Sequence, residues 1–130
     1  MAAIKDLVVD CRHPASLARF WAAVLDDHAV APYDEAALAQ LRVQGITSPE
    51  DDPTVLLTGF PRIWFQLVPE SKVVKNRMHL DLRTDDPTEL DRLTSLGATI
   101  TARRPDWVEL TDPEGNEFCL FTDRWLGSVG

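Results

Sequence analysis

Hydrophobic and polar residues alternate along several short segments, which is the pattern of β-strands with one buried face. The alternation is clearest over residues 77–84, where His79 and Asp81 fall on one face and Leu80 and Leu82 on the other. The strands predicted in this way lie at 4–11, about 28–32, 54–58, 62–68, 77–84, 98–102, 106–111 and 117–121.

Three other segments carry hydrophobic residues at helical spacing. The first opens at Pro14 and predicts a helix over 14–26, because proline is well tolerated in the first turn of a helix. A short amphipathic helix is predicted in the segment after Tyr33, with its end at Gly45. A third helix is predicted from Asp86 to the stop at Gly97, and its buried side is formed by Leu90, Leu93 and Leu96.

The order of these elements indicates an internal repeat. A shift of 73 residues places Asp6 on His79 and Pro14 on Pro87, and a shift of 53 places Phe65 on Phe118. We therefore predict one domain over 1–130 with an α+β fold of two βαβββ repeats, whose curved mixed sheets surround a cavity and are each backed by one helix. The predicted boundaries are about 4–68 for the first repeat with an insertion at 33–53, 69–76 for a linker, about 77–121 for the second repeat and 122–130 for a loose tail. A ferredoxin-like domain is the alternative fold.

Charge and composition exclude several functions. The chain has 13 basic and 21 acidic residues and a net charge of −8, which argues against nucleic acid and anionic membrane surfaces as partners. No secretory signal or long apolar run is visible, so a cytoplasmic protein is expected, with Cys11 and Cys119 reduced. The sequence contains none of the common nucleotide-binding or serine-hydrolase motifs.

Strand alternation sorts the candidate functional residues onto one face. This face is either solvated, as in many antiparallel sheets, or it lines a ligand pocket. Trp64 and Trp107 either stack on a flat ligand or simply pack, while His79 is a base, a hydrogen-bonding group or an ordinary exposed histidine. Cys119 is a nucleophile if a base activates it, and otherwise an inert small residue. The cluster of Lys72, Lys75 and Arg77 is expected in a solvated linker. The residues of this face are Asp6, Val8, Asp10, Trp64, Gln66, His79, Asp81, Arg83, Trp107, Glu109, Glu117 and Cys119.

Three segments together resemble a known superfamily. They are DLVVDCRHPASLARFWAAVL near the start, WFQLVPESKVVKNRMHLDL in the middle, and LGATI followed by DWVELTDPEGNEFCLF near the end. This combination resembles the vicinal oxygen chelate superfamily, which includes glyoxalase I, extradiol dioxygenases, fosfomycin-resistance enzymes and bleomycin-binding proteins. The glyoxalase-like branch is the closest match.

The resemblance implies a metal site at four positions. Metalloenzymes of the superfamily hold a divalent ion with residues from the first and last strands of each half, which correspond to Asp6, Gln66, His79 and Cys119 here. Only His79 matches the usual occupant, and Cys119 stands where a carboxylate is expected. Two possibilities are therefore open for the cofactor: a divalent ion (Zn, Fe, Mn or Ni), or none. The resemblance also implies a homodimer.

Two functions follow from these residues. The first is a binding module for a small organic molecule, as in resistance or sequestration proteins, with Trp64, Trp107, Gln66, Asp81 and Arg83 as ligand contacts. The second is a metal-dependent lyase, isomerase or dioxygenase acting on a substrate with vicinal oxygens. In that case His79, Glu117 and Glu109 are the catalytic candidates, because a carboxylate or imidazole is needed to move the proton. A metal-free enzyme with His79 as the base lies between them.

Overall fold

The computed structural model describes residues 1–122. The predicted tail, 122–130, therefore lies outside the described residues except for its first residue. The chain divides into two compact units, Met1–Ser71 and Lys72–Gly130. Each unit contains one mixed four-stranded sheet and at least one helix, as the α+β prediction requires. Within residues 1–122, no helix is long and apolar enough to span a membrane.

The first unit contains four strands and two α-helices. Strand β4 is the parallel partner of β1 and the antiparallel partner of β3, which gives the sheet order β1-β4-β3-β2. Its elements are β1 (Leu7–Cys11), α1 (Pro14–Val24), β2 (Ala29–Val30), α2 (Glu35–Val43), a 3₁₀ turn (Pro49–Asp51), β3 (Thr54–Thr58) and β4 (Ile63–Leu67).

The second unit repeats this order with one helix. Strand β8 is the parallel partner of β5 and the antiparallel partner of β7, so the sheet order is β5-β8-β7-β6. The two sheets therefore share one topology, which confirms the predicted repeat. The elements are β5 (Leu80–Arg83), α3 (Glu89–Leu96), β6 (Thr99–Arg103), β7 (Trp107–Thr111) and β8 (Glu117–Phe121).

The apolar face of each sheet forms the core of its unit. Helix α1 begins at Pro14 as predicted and buries Leu17, Phe20 and Trp21. In the second unit Leu93 of α3 is fully buried, and Phe118 and Leu120 of β8 are almost so. Burial of these helix-facing residues removes apolar area from water and so stabilises each unit.

Three leucines that the pattern assigns to the core are partly exposed. Leu67, Leu80 and Leu96 expose 48%, 40% and 38% of their surface. Leu67 and Leu96 are the last residues of β4 and α3, and Leu80 is the first residue of β5. Terminal positions have fewer neighbours to cover them, and alternation alone does not reveal where an element ends.

A β-turn connects β7 to β8. The Gly115 N–H donates to the Asp112 carbonyl at 2.9 Å, which is the hydrogen bond of a β-turn with Pro113 at its second position. The buried Asp112 carboxylate accepts from the backbone N–H groups of Glu114 and Asn116 at 2.9 and 3.0 Å. These bonds fix the start of β8 and hence the register of Glu117 and Cys119.

Candidate functional site

The second sheet carries a cleft of about 290 Å³ on the face opposite α3. Its walls combine aromatic rings with ionisable side chains, as small-molecule sites commonly do. The lining residues are Lys75, His79, Asp81, Thr101, Trp107, Glu109, Leu110, Glu117, Phe118, Cys119 and Phe121. We call this site the second-sheet cleft.

The register of β5 and β8 brings three metal-ligating side chains together. Asp81 lies directly opposite Cys119, and His79 immediately precedes β5 on the same face as Asp81. The Nε2 atom of His79 is 3.4 Å from Oδ1 of Asp81. One ligand atom from each of His79, Asp81 and Cys119 lies within 4.8 Å of the others.

The cleft has an aromatic wall made by two neighbouring strands. Trp107 on β7 lies opposite Phe121 on β8, and their rings stack with centroids 5.5 Å apart and an interplanar angle of 23°. Both side chains are half-buried. A wall of this kind offers apolar area and a π face to a flat ligand.

Two carboxylates of the cleft are held by cations. Lys72 Nζ donates to Glu117 Oε2 at 2.6 Å and the Asn76 N–H donates to Oε1 at 3.1 Å, and these contacts lower the pKa of Glu117 to about 2. Arg104 Nε donates to Glu109 Oε2 at 2.6 Å and lowers the pKa of Glu109. Both groups are therefore weak bases at neutral pH.

The Cys119 thiol has the opposite electrostatic environment. Burial raises its pKa, and the nearby carboxylates of Asp81 and Glu109 raise it further. Since the thiolate is the nucleophilic form, this environment does not activate Cys119 as a nucleophile.

In the first unit, Asp6 is held by three partners. Lys5 Nζ and Arg62 Nε donate to its carboxylate at 2.7 and 2.8 Å, and the Trp64 indole N–H donates at 3.1 Å. Together these bonds, with that from Lys5 the largest cause, lower the pKa of Asp6 to about 2. Its side chain is only 7% exposed. Asp6 thus forms the centre of a polar cluster on the first sheet.

The strand registers also change one predicted equivalence. Leu7 pairs with Ile63 in the first sheet and Leu80 with Phe118 in the second, so the later strands are offset by 55 residues, where we predicted 53. Trp64, which lies opposite Val8, is therefore the counterpart of Cys119, which lies opposite Asp81. Gln66 lies one step further along the same face, opposite Asp10.

These registers provide a test of the metal set implied by the superfamily. In the first unit Asp6 already neutralises Lys5 and Arg62, and the position equivalent to Cys119 carries an indole, which is a donor only. Arg62, which holds Asp6, comes just before β4, and Gln66 comes four residues later in the chain. Gln66 is therefore not placed beside the Asp6 carboxylate. The residues of the first unit therefore do not fit the ion that the superfamily implies.

The cleft gathers most of the predicted site residues of the second unit. His79, Asp81, Trp107, Glu109, Glu117 and Cys119 all line it. Arg83 lies on the same face further along β5, opposite Phe121, and is exposed. Trp64 is half-buried with its indole N–H on Asp6, and Gln66 is exposed.

Sequence reasoning missed the roles of Lys72 and Lys75. The prediction of a solvated linker is wrong for Lys72, whose side chain is only 19% exposed in its ion pair with Glu117. Lys75 and Thr101 line the cleft. Each contact joins residues far apart in the chain, and no local pattern signals such a pair.

Comparisons with known proteins agree with this architecture. The family model described as glyoxalase-like domain matches residues 6–121. The chain belongs to the glyoxalase-like domain family. Among the curated proteins, no sequence matches this chain.

Several solved structures have a similar fold. The chain is similar to the fosfomycin resistance protein FosX from Mesorhizobium loti (TM-score 0.64, 13% identity, 99% of this chain and 98% of that chain covered). It is also similar to a glyoxalase/bleomycin resistance protein/dioxygenase family enzyme from Burkholderia phytofirmans (TM-score 0.57, 18% identity, 93% and 98% covered). FosX from Listeria monocytogenes gives a TM-score of 0.62 at 10% identity, with 94% and 91% covered. At these identities the likeness concerns the fold of this glyoxalase-like protein.

Proposed function

We propose that this glyoxalase-like protein binds a small, flat organic molecule in the second-sheet cleft, as a resistance or sequestration protein does. The observation that carries this proposal is the stacked pair of Trp107 and Phe121 beside a cluster of hydrogen-bonding groups in one cleft. Its volume of about 290 Å³ is close to the lower end of the usual range for ligand sites. A ligand of one or two fused rings suits that size.

The roles of the lining residues follow from their partners. Trp107 and Phe121 provide the stacking surface, while His79 and Asp81 offer hydrogen bonds at the mouth, where their side chains are 44% and 58% exposed. Glu109 and Glu117 are held by Arg104 and Lys72, so they define the shape of the cleft.

The charge of the cleft favours a neutral or cationic ligand. Asp81, Glu109 and Glu117 are carboxylates, and the cations within reach are Lys75 and the two ion-pair partners of the glutamates. A mutant of FosX from Listeria monocytogenes is described as complexed with Mn(II) and a dihydroxypropylphosphonic acid. The lining of this cleft is less suited to such a doubly charged anion, because the negatively charged Asp81 carboxylate repels the anion.

Proton transfer by His79 is the second candidate function. The contact between His79 and Asp81 favours it, because a carboxylate beside an imidazole fixes the orientation of the ring. This form of the lyase or isomerase hypothesis is metal-free. Glu109 and Glu117 contribute less to it than the sequence predicts, since their lowered pKa values make them poor bases at neutral pH.

Three further ligand contacts stay predictions. Trp64 and Gln66 belong to the first sheet and Arg83 to the end of β5, outside the cleft lining. A homodimer and a cytoplasmic location also stay predictions. Light scattering on the purified chain and cell fractionation check them.

A dye titration tests the proposal. Thioflavin T is a planar cation and anilinonaphthalene sulfonate a comparable anion, and both fluoresce more strongly when bound to protein. We expect the cation to bind more tightly, and Trp107→Ala to weaken its binding about tenfold, which corresponds to about 1.4 kcal/mol.

The matched control is Trp64→Ala on the first sheet, which leaves binding of the cation unchanged if the second-sheet cleft is the site. Equal affinity in Trp107→Ala and the unmodified chain would overturn the proposal. Loss in Trp64→Ala alone would move the ligand to the first sheet. The titration contains a chelator, so its result does not depend on metal ions.

A further inference from the structure

We infer that the organic ligand of the second-sheet cleft is a zwitterion, a flat molecule whose positive group meets Asp81 and whose negative group meets Lys75. This inference rests on the proposed function, because it names the class of ligand that the same cleft takes. It narrows a neutral or cationic ligand to one that carries both charges and has no net charge.

The charges of the cleft lining reduce to one carboxylate and one ammonium group. Both glutamates of the lining are in ion pairs of 2.6 Å, one with Arg104 and the other with Lys72. Each pair has no net charge and does little to select the charge of a ligand. With histidine counted as neutral at pH 7, the remaining charges of the lining are those of Asp81 and Lys75.

The Asp81 carboxylate lies in the middle row of the sheet. Asp81 on β5 is opposite Cys119 on β8, and Cys119 is opposite Glu109 on β7. The side chain of Asp81 is 58% exposed and contacts His79 and Cys119. Within residues 1–122 it forms no ion pair with a lysine or an arginine. A positive group of a ligand is therefore the partner that this carboxylate lacks.

The segment that carries Lys75 is fixed on both sides of it. Lys72 Nζ donates to Glu117 Oε2 at 2.6 Å, and the Asn76 N–H donates to Glu117 Oε1 at 3.1 Å. The Asn76 side-chain amide also donates to Asn116 Oδ1 at 2.8 Å. These bonds tie the segment to the start of β8 before any ligand arrives, so binding there requires little further ordering of the chain.

The side chain of Lys75 lines the cleft. After Arg104, Lys75 also lowers the pKa of Glu109, and it opposes the rise that burial causes in the pKa of Cys119. Its charge thus acts on the middle row of the sheet. Lys75 makes no hydrogen bond or ion pair with any residue from 1 to 122. Its ammonium group is available to a negatively charged group of a ligand.

The aromatic wall fixes where the ring of such a ligand lies. Phe121 and Glu117 are four residues apart on β8, about 13 Å along a strand, with Cys119 midway between them. A ring on the wall therefore lies within reach of both charges that act on Cys119. A positively charged ring also suits Trp107, because cations are attracted to the face of an indole.

Three matched two-ring probes test the charge preference. 1-Methylquinolinium-3-carboxylate is a flat zwitterion, its 3-carboxamide keeps only the positive charge, and quinoline-3-carboxylate keeps only the negative charge. Isothermal titration calorimetry of the full chain at pH 7 measures all three affinities. Charge pairs with solvent access are weak, so we expect the zwitterion to bind about three- to fivefold more tightly than either control probe.

Two variants assign the preference to its residues. Lys75→Met should abolish the preference for the zwitterion over the carboxamide, and Asp81→Asn the preference for the zwitterion over quinoline-3-carboxylate. Arg77→Met and Asp85→Asn are the matched controls, because both residues are exposed, lie nearby in the chain and do not line the cleft. They should keep both preferences. Circular dichroism shows whether each variant folds.

Trp107→Ala distinguishes failure of this inference from failure of the proposed function. If Trp107→Ala weakens binding of the probes but the zwitterion binds no better than the others, the cleft is the site and the inference alone is overturned. A preference that persists in folded Lys75→Met and Asp81→Asn overturns it too. If no probe binds while thioflavin T does, the inference falls and the proposed function stands. If the probes bind equally well to folded Trp107→Ala and the unmodified chain, both fall.

Discussion

The two sheets share one topology but differ on the face opposite their helices. The registers make Asp6, Val8 and Trp64 the counterparts of His79, Asp81 and Cys119. On the first sheet these positions hold a carboxylate neutralised by two cations, an aliphatic side chain and an indole. On the second sheet they hold three convergent donor groups in a cleft. The two halves thus share the same core packing and differ on the opposite face of the sheet, where functional groups can lie.

The largest expected effect concerns what the two sheets have in common. Leu57 pairs with Ile63 and Leu110 with Phe118, so the two leucines are equivalent, and they are 0% and 1% exposed. Changing either leucine to alanine leaves a cavity and should reduce the free energy of unfolding by about 2–5 kcal/mol. Urea denaturation of Leu57→Ala and Leu110→Ala measures it.

The control for this pair is Leu96→Ala, whose side chain is partly exposed at the end of α3. This variant should reduce the free energy of unfolding clearly less than Leu57→Ala or Leu110→Ala does. A large loss in one buried variant and none in the other would show that the two cores are not equivalent.

A medium effect is expected where the second sheet differs from the first. Glu117 ties β8 to Lys72 and Asn76, and Lys72 is 19% exposed, so Glu117→Gln leaves a largely buried ammonium group without its anion. We expect a loss of about 1–2 kcal/mol at pH 7. Urea midpoints of the unmodified chain and the variant, measured from pH 7 to pH 2, test this.

The pH dependence of this loss has a definite sign. The pKa of Glu117 falls from 4.5 to about 2 on folding, so its carboxylate stabilises the fold fully above pH 4.5. That stabilisation disappears as the pH falls to about 2. The difference between Glu117→Gln and the unmodified chain should shrink over the same range. A difference that stays constant would show that the ion pair is not its cause. Glu70→Gln, which changes an exposed glutamate, is the control.

The fold is predictable from the sequence because its signals are local. Helix α1 starts at its proline and α2 lies between Asp34 and Gly45, as predicted. The turn from β7 to β8 likewise lies at a proline and a glycine, Pro113 and Gly115. Each of these signals involves residues within a few positions of one another. They therefore do not depend on how distant parts of the chain meet.

The equivalence between the repeats is less predictable, for a physical reason. Side chains alternate with a period of two, so a shift of two residues leaves every hydrophobic side chain on its own face. The offsets of 53 and 55 residues consequently give the same pattern. Only the hydrogen-bonded registers show that Trp64, two residues before Gln66, is the counterpart of Cys119.

The electrostatics of the site are the least predictable feature. The pairs Arg62–Asp6 and Lys72–Glu117 join residues 56 and 45 positions apart in the chain. The sequence identifies both acidic residues as candidates, but the cations that neutralise them lie in other segments. For the same reason it presents Glu117 as a proton carrier, whereas its lowered pKa makes it a weak base.

A smaller effect on stability than at Glu117 is expected at Asp6, on the first sheet. Asp6→Asn removes the negative charge but keeps an oxygen for the Trp64 indole, and both cations it releases have solvent access, with Lys5 81% and Arg62 45% exposed. Solvated ion pairs contribute little, so the loss in urea midpoint should be smaller than for Glu117→Gln. Because the pKa of Asp6 is about 2 in the folded chain and ordinarily 3.8, this loss should also vanish between those two pH values.

Asp81→Asn on the second sheet should give the converse result. Its side chain is 58% exposed, so stability should hardly change, while the cationic dye should bind more weakly because the cleft loses a carboxylate that attracts it. Asp6→Asn should leave binding of the dye as it is in the unmodified chain. If instead Asp6→Asn weakened binding as much as Asp81→Asn does, the second-sheet cleft would not be the site that distinguishes the two sheets.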